Sequence, residues 1–194
     1  MAQTCERNPS HRRKWLVLLS GTSCSGKTTV GRALQRRISS QSRPFLHIEA
    51  DQFLPHLPQT WSHEDKGVCL SRALHRAIVA FVEEGFDLIV DGVLPYGRPE
   101  GIADALTVFG RYQLCYVGVH CALEVLEERE RRRPDRKSEW ARQQYMDLHV
   151  GAVYDLEIDT TATSAEENAE RIRQHLITRD SSLIISNDTS HAAS

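Results

Sequence analysis

Short apolar runs alternate along the chain with longer stretches in which apolar residues return every three or four positions. The first run, Trp15 to Leu19 closing at Ser20, has no polar interruption, the pattern of a strand buried on both faces. A glycine-containing loop at 21–26 follows, and Val30, Ala33, Leu34 and Ile38 then mark a helix from Lys27 to about Ser40. Phe45 to Ile48 predicts a second short strand, with Asp51 at its end. Phe53, Pro55, Pro58 and Trp61 rule out one regular helix over 52–62. Ser62, with Asp65 three residues on, predicts an N-cap. The helix behind it runs to Glu84, offers Cys69, Ala73, Ile78, Val79 and Val82 for burial, and stops at Gly85. Leu88 to Asp91 reads as the third strand, 99–107 as a weaker helix, and Gln113 to Val119 as the fourth strand. Helices over 122–133 and 138–149 flank a break at 134–137, and Tyr154 to Ile158 is the fifth strand. Ser164 and Glu167 form a capping box for a last helix to about Leu176.

Strands that alternate with helices predict a parallel sheet covered on both faces, an α/β chain of three layers. Ligands of such sheets gather at the carboxyl ends of the strands. With 194 residues the chain fits one domain, read as 15–178 between a disordered basic arm (1–14) and a polar tail (179–194). A domain of this size buries ~70% of its unfolded surface and needs no disulfide or metal staple. A net charge of -2 argues against a whole-surface nucleic-acid binder. No apolar run approaches the roughly 18 residues of a membrane span, so no membrane partner is expected. Arg12-Arg13-Lys14 before Trp15–Leu19 imitates a signal peptide, but the apolar run is short of the ~7–15 residues required. The cysteines are five, odd in number and without C-x-x-C spacing, which predicts reduced thiols and a cytoplasmic location. Nothing in the sequence fixes an oligomeric state.

Gly21-Thr22-Ser23-Cys24-Ser25-Gly26-Lys27-Thr28 satisfies G-x-x-x-x-G-K-[ST] at every fixed position, between a buried strand and a helix. Backbone amides can wrap a phosphate only where side chains do not obstruct, and the following helix adds its positive end. The candidate nucleotide-binding residues are therefore Gly21, Thr22, Ser23, Cys24, Ser25, Gly26, Lys27, Thr28 and Thr29. Lys27 is expected at the β- and γ-phosphates of ATP, and the Thr28 hydroxyl on magnesium. Asp91, at the end of the third strand, is the second candidate magnesium ligand; the competing reading is a turn-forming Asp-Gly pair. Asp51 reaches the same edge and suits a base that orients an acceptor hydroxyl and takes its proton. A loop acid or helix cap is its competing reading. If Asp51 is the base, Phe53 to Trp61 becomes a candidate substrate wall.

From Arg129 to Lys137 the chain reads RERRRPDRK. Arginines above a phosphate loop can neutralise charge on a transferred group, and a closing lid excludes water. The lid is read over about 129–138, with Arg133 and Arg136, which flank the break, chosen as its catalytic members. A solvated helix face, with Glu127, Glu128 and Glu130 interleaved, and a basic patch for RNA are the competing readings.

The segment from Val117 to Thr161 resembles the corresponding part of chloramphenicol phosphotransferase-like proteins. The likeness lies in Val119–Cys121, Glu127–Glu130, Arg133–Arg136, Gln143/Gln144, the pair His149 and Gly151, Tyr154-Asp155 and Asp159-Thr160-Thr161. With the phosphate loop, Asp51 and the Leu88–Asp91 strand it extends over about 15–177. The resemblance implies a P-loop NTPase fold of nucleotide-kinase type, with a five-stranded parallel sheet of order 2-3-1-4-5. It also implies transfer of the γ-phosphoryl group of ATP to a hydroxyl of a small molecule. Asp51 then matches the family's base, Lys27 its loop lysine, Arg133 and Arg136 its lid arginines, and Asp91 its first acid after the third strand. Three departures stand out: Ser20-Gly21-Thr22 where the antibiotic kinase has paired glycines, Gly92 where it has a second acid, and a shorter stretch after Asp51.

The reading of the sequence is an ATP- and magnesium-dependent O-phosphotransferase whose acceptor is a small alcohol. No arginine lies within 52–62, which favours a largely neutral acceptor such as chloramphenicol over a charged one. The alternatives are a kinase of another metabolite class and a nucleotide-dependent switch or RNA-associated ATPase.

Overall fold

The computed structural model of the chain describes residues 13–40, 42–58, 60, 62–92, 105–133 and 140–183. Its centre is β1 (Trp15–Ser20), all six residues of which are buried. β3 (Asp87–Asp91) pairs with β1 on one side and β4 (Gln113–His120) on the other, both parallel, with Leu19 in register with Asp91 and Val117. β2 (Phe45–Glu49) and β5 (Leu156–Asp159) form the edges, so the strand order is β2-β3-β1-β4-β5, as the family resemblance implies.

The two-residue period of β1 divides the core. Trp15, Val17 and Leu19 pack with Val30, Leu34 and Ile38 of α1 (Lys27–Ile38) and with Ile172 and Leu176 of α6 (Ala165–Arg179). Leu16 and Leu18 face the opposite way, towards Leu74, Ile78 and Val82 of α2 (His63–Glu83) and Phe109 in the helical stretch 105–109 (α3). Leu74, Ile78 and Val82 recur every four residues and so form one stripe. Ala73, expected to be buried, falls off that stripe and is exposed.

Helix ends account for most other departures. α4 spans Leu123–Arg131 and α5 only Trp140–Asp147; the chain then turns through 148–151, with Gly151 at φ 71°. β5 starts later than expected because Asp155 caps the ladder instead: its carboxylate accepts the Tyr116 N–H at 2.8 Å. The break at 134–137 lies outside the described residues. The Ser164–Glu167 capping box forms in both directions, and α6 runs on to Arg179. Packing then continues past the expected boundary at 178, since Leu183 is buried in the α1–α6 core.

At the amino ends of the strands a charged cluster is enclosed. Arg43 donates from Nε to Asp87 Oδ2 at 3.0 Å and from Nη1 to Asp180 Oδ2 at 3.3 Å and Ser182 Oγ at 3.0 Å. Trp15 donates its backbone N–H to Asp87 at 2.7 Å and its indole N–H to Asp180 at 3.1 Å.

Candidate active site

The phosphate-loop residues leave β1 at its carboxyl end and enter α1 directly. Gly21 is required by contact: a Cβ there would lie 2.4 Å from the Val119 carbonyl oxygen and 2.8 Å from Ser25 Oγ. Gly26 is the N-cap of α1 at φ 88°, no side chain caps the helix, and its first turn holds no acid. The positive end of the helix dipole is therefore not offset by an acid of its own first turn, which suits an incoming anion. Cys24 adopts φ 64°, a left-handed conformation that costs a non-glycine residue about 1–2 kcal/mol.

Neighbouring elements hold the loop in that shape. Gln144 of α5 accepts the Ser23 N–H at 2.7 Å, and the Thr160 hydroxyl after β5 donates to the Ser25 carbonyl at 2.6 Å. Arg129 of α4 donates to the Cys24 carbonyl at 3.3 Å and the Thr160 carbonyl at 2.8 Å. Lys27 curls beneath the loop and donates to the carbonyls of Gly21 at 2.7 Å and Thr22 at 2.8 Å. Thr22, Ser23 and Ser25 are buried, Thr28 is half-buried and Thr29 exposed.

Two acids reach the same edge from β2 and β3. Asp51 lies in a 3-10 turn over Ala50–His56, immediately after β2. A Cβ on Gly92, which sits at φ 81°, would lie 3.2 Å from Asp51 Oδ1, so the glycine after Asp91 makes room for the Asp51 carboxylate. Asp91 is buried, with Oδ2 3.3 Å from Nε2 of His47. Phe53, the start of the expected substrate wall, is exposed, and Trp61 lies outside the described residues.

The arginine run divides. Among its described members Arg129 contacts the loop, and the sequence reading did not choose it. Arg131 and Arg132 pair with Glu128 on the outer face of α4, as the solvated-face reading has it. Arg133 is exposed just after the helix, its N–H donated to the Glu130 carbonyl at 2.9 Å, and Arg136 lies outside the described residues.

On the β4–β5 side of the loop the structure assembles a group that spacing gave no reason to join. The Tyr154 ring lies over β4, where a Cβ on Gly118 would come within 2.7 Å of it. Tyr154 Oη shares a hydrogen bond of 2.7 Å with His149 Nδ1. Burial pushes the Tyr154 phenol above its ordinary range. His149 stacks on His120 with ring centres 4.1 Å apart. Burial first, then His120 and to a smaller extent Lys27, lower the His149 pKa to about 4 against the opposing pull of Glu157. A pocket of about 480 Å³ opens beside these rings, lined also by Thr22, Tyr145, Asp159 and Thr161. It lies on the opposite side of the loop from Asp51, since β3 and β1 separate β2 from β4. The available signals were a glycine inside an apolar strand and a histidine ending it.

Comparison with known proteins agrees with this architecture. The family model described as chloramphenicol phosphotransferase-like protein matches residues 14–177. A Mycobacterium tuberculosis protein named "Putative O-phosphotransferase" is 32% identical over 186 residues, covering 82% of this chain and 80% of its own. Among solved structures, the Mycobacterium tuberculosis APS kinase in complex with AMPPNP and APS superposes with a TM-score of 0.64 at 18% identity, covering 84% of this chain and 98% of that one. A gluconokinase from Sinorhizobium meliloti gives a TM-score of 0.56 at 18% identity, over 87% and 99%. Among the described residues no helix is long and apolar enough to cross a membrane, and the cysteines Cys24, Cys115 and Cys121 are free thiols.

Proposed function

This chain belongs to the chloramphenicol phosphotransferase-like family, and from that premise we propose that it is a kinase moving the γ-phosphoryl group of ATP to a hydroxyl of a small, neutral molecule. The observation that carries the reading is the shared edge: a clamped, uncapped phosphate loop at the end of β1, and the Asp51 carboxylate one strand beyond β3. Names of similar proteins point the same way, an O-phosphotransferase among relatives and an APS kinase holding the ATP analogue AMPPNP among structures.

The chemistry follows from the residues. The loop amides and the end of α1 hold the donor's phosphates. Lys27, released from the Gly21 and Thr22 carbonyls, follows the charge on the β- and γ-phosphates. Asp51 orients the acceptor hydroxyl and takes its proton as the new O–P bond forms and the bond to the β-phosphate oxygen breaks, releasing ADP. Thr28 and Asp91 are oxygen donors of the kind magnesium takes, and they would hold it. Magnesium, when bound, neutralises charge on the donor's terminal phosphates. Arg133 and Arg136 are assigned to the transferred phosphoryl group, in a lid that keeps water out. The stretch after Asp51 offers Phe53, Leu54 and Pro55 and no arginine, which suits a neutral acceptor such as chloramphenicol.

Acceptor-dependent ADP release tests the reading, with a panel of neutral and anionic alcohols that includes chloramphenicol. A neutral alcohol is expected to yield a phosphorylated product by mass spectrometry, and Asp51→Asn to slow turnover by roughly 10²–10⁴-fold. Turnover with anionic alcohols alone would overturn the acceptor class. Full activity in Asp51→Asn would remove Asp51 as the base.

A further inference from the structure

β2 and α1 each carry one residue that their own secondary structure disfavours. His47 is a polar side chain enclosed beneath the short strand β2, where a polar group is costly unless it finds a partner. Its side chain is 5% exposed and that of Asp91 3%. Gly31 sits in the middle of α1, where glycine costs about 1 kcal/mol relative to alanine. The two irregularities explain each other. A Cβ on Gly31 would lie 2.6 Å from His47 Nε2 and 2.8 Å from Cε1, so the helix omits a side chain where the imidazole passes. His47 pairs with Ile89 across the β2–β3 ladder, and Asp91 is the next residue of β3 on the same face. His47 Nε2 lies 3.3 Å from Asp91 Oδ2. An ionised carboxylate only accepts, so Nε2 carries the hydrogen and donates it.

We propose that His47 is a positioning residue that holds the Asp91 carboxylate in one orientation for the magnesium ion of the donor nucleotide. The inference rests on the assignment of Asp91 to that ion made above. An unheld aspartate at a strand end would have to be fixed in one rotamer when the ion binds. The His47 ring, wedged against Gly31 and donating from below, supplies that order in advance. Outer-shell partners of this kind are worth roughly 10–100-fold in metal affinity. The same packing would also be produced by a histidine that only fills space, so the test must separate the two roles.

Manganese substitutes for magnesium and is followed by electron paramagnetic resonance, without turnover. Its affinity would be measured on the protein saturated with AMPPNP, and AMPPNP affinity separately in excess EDTA. His47→Ala is expected to weaken manganese binding by roughly 10–100-fold with metal-free nucleotide affinity unchanged. His47→Gln, which keeps an N–H donor, should recover part of the loss. Gly31→Ala keeps the histidine but displaces its ring, and should lower manganese affinity in the same direction. If His47→Ala lowers Tm and leaves manganese affinity at the wild-type value, His47 is packing alone and the inference fails. Asp91→Asn separates the two layers. Unchanged manganese affinity in that variant removes Asp91 from the ion and His47 with it, whereas a loss there beside a wild-type His47→Ala overturns only the role of His47.

Discussion

The two ends of one sheet treat their polar groups in opposite ways. At the amino ends, Arg43, Asp87, Asp180, Ser182 and Trp15 are joined to one another, with the Arg43 side chain 6% and the Asp87 side chain 2% exposed. At the carboxyl ends the phosphate loop is held through its backbone groups, by Gln144, Arg129 and Thr160. Lys27 donates to the Gly21 and Thr22 carbonyls, Asp51 lies beside Gly92, and the first turn of α1 holds no acid. One end ties β1, β2 and β3 to the chain after α6; the other brings Lys27, Asp51 and Asp91 to the edge where the proposed donor, ion and acceptor hydroxyl would be received. Buried charge is costly in either place. At the amino end the pairing of Arg43 with Asp87 and Asp180 offsets that cost.

The largest effect should come from breaking the enclosed end. Arg43→Met leaves the buried Asp87 carboxylate, and the half-buried Asp180, without their guanidinium, a loss of about 3–5 kcal/mol. For a chain of this size that lowers Tm by roughly 6–20 °C. Turnover per folded molecule should stay near wild type, because the cluster lies at the opposite edge from the loop. A variant that kept its Tm but lost turnover would break the division of labour between the two ends.

Lys27→Met is the converse. Loss of one charged donor aimed at the transferring phosphoryl group should slow turnover roughly 10²–10³-fold. Its Tm should fall less than that of Arg43→Met, since Lys27 donates to the carbonyls of Gly21 and Thr22, which carry no formal charge. Thermal melts beside ADP-release rates for both variants sharpen the comparison. If the two variants show the same ratio of stability loss to activity loss, the ends are not specialised.

How much of this was legible in the sequence depended on the range of the signal. The phosphate loop, the five strands and the Ser164–Glu167 box are local patterns, fixed by glycine spacing, unbroken apolar runs and a capping pair, and all stand in the structure. Asp51 and Asp91 could be placed at the right edge because strand ends in a parallel sheet share one. Contacts made across the sheet were not legible. Arg129 and Arg133 are four residues apart on the same run, and only the position of Thr160 after β5 shows that Arg129 meets the loop. Asp180 looks like the start of a polar tail until Trp15 and Arg43 are seen to bond it. His47 and Gly31 each read as a blemish in an otherwise regular element, and their meaning lies in their contact, where a Cβ on Gly31 would come within 2.6 Å of His47 Nε2.

The smallest of these effects refines what the carboxyl end contributes. His149 has its pKa lowered to about 4, by burial before anything else. The folded protein therefore binds fewer protons at this site than the unfolded chain between about pH 6.5 and pH 4. The sign is fixed by that difference: stability linked to His149 is complete above pH 6.5 and falls as the pH drops towards 4. Glu170, lowered to about 2 by its bond from Arg173, is still ionised across that window in the folded state. His149→Gln removes the titrating group, so the loss of Tm between pH 6.5 and 4 should be shallower than in wild type, while the two proteins should run parallel above pH 7. A variant as acid-sensitive as wild type throughout the window would mean that the His120–His149–Tyr154 stack carries no such proton linkage. A flattened profile would establish that His149 stands uncharged beside the loop at neutral pH, leaving Lys27 and the end of α1 to attract the nucleotide.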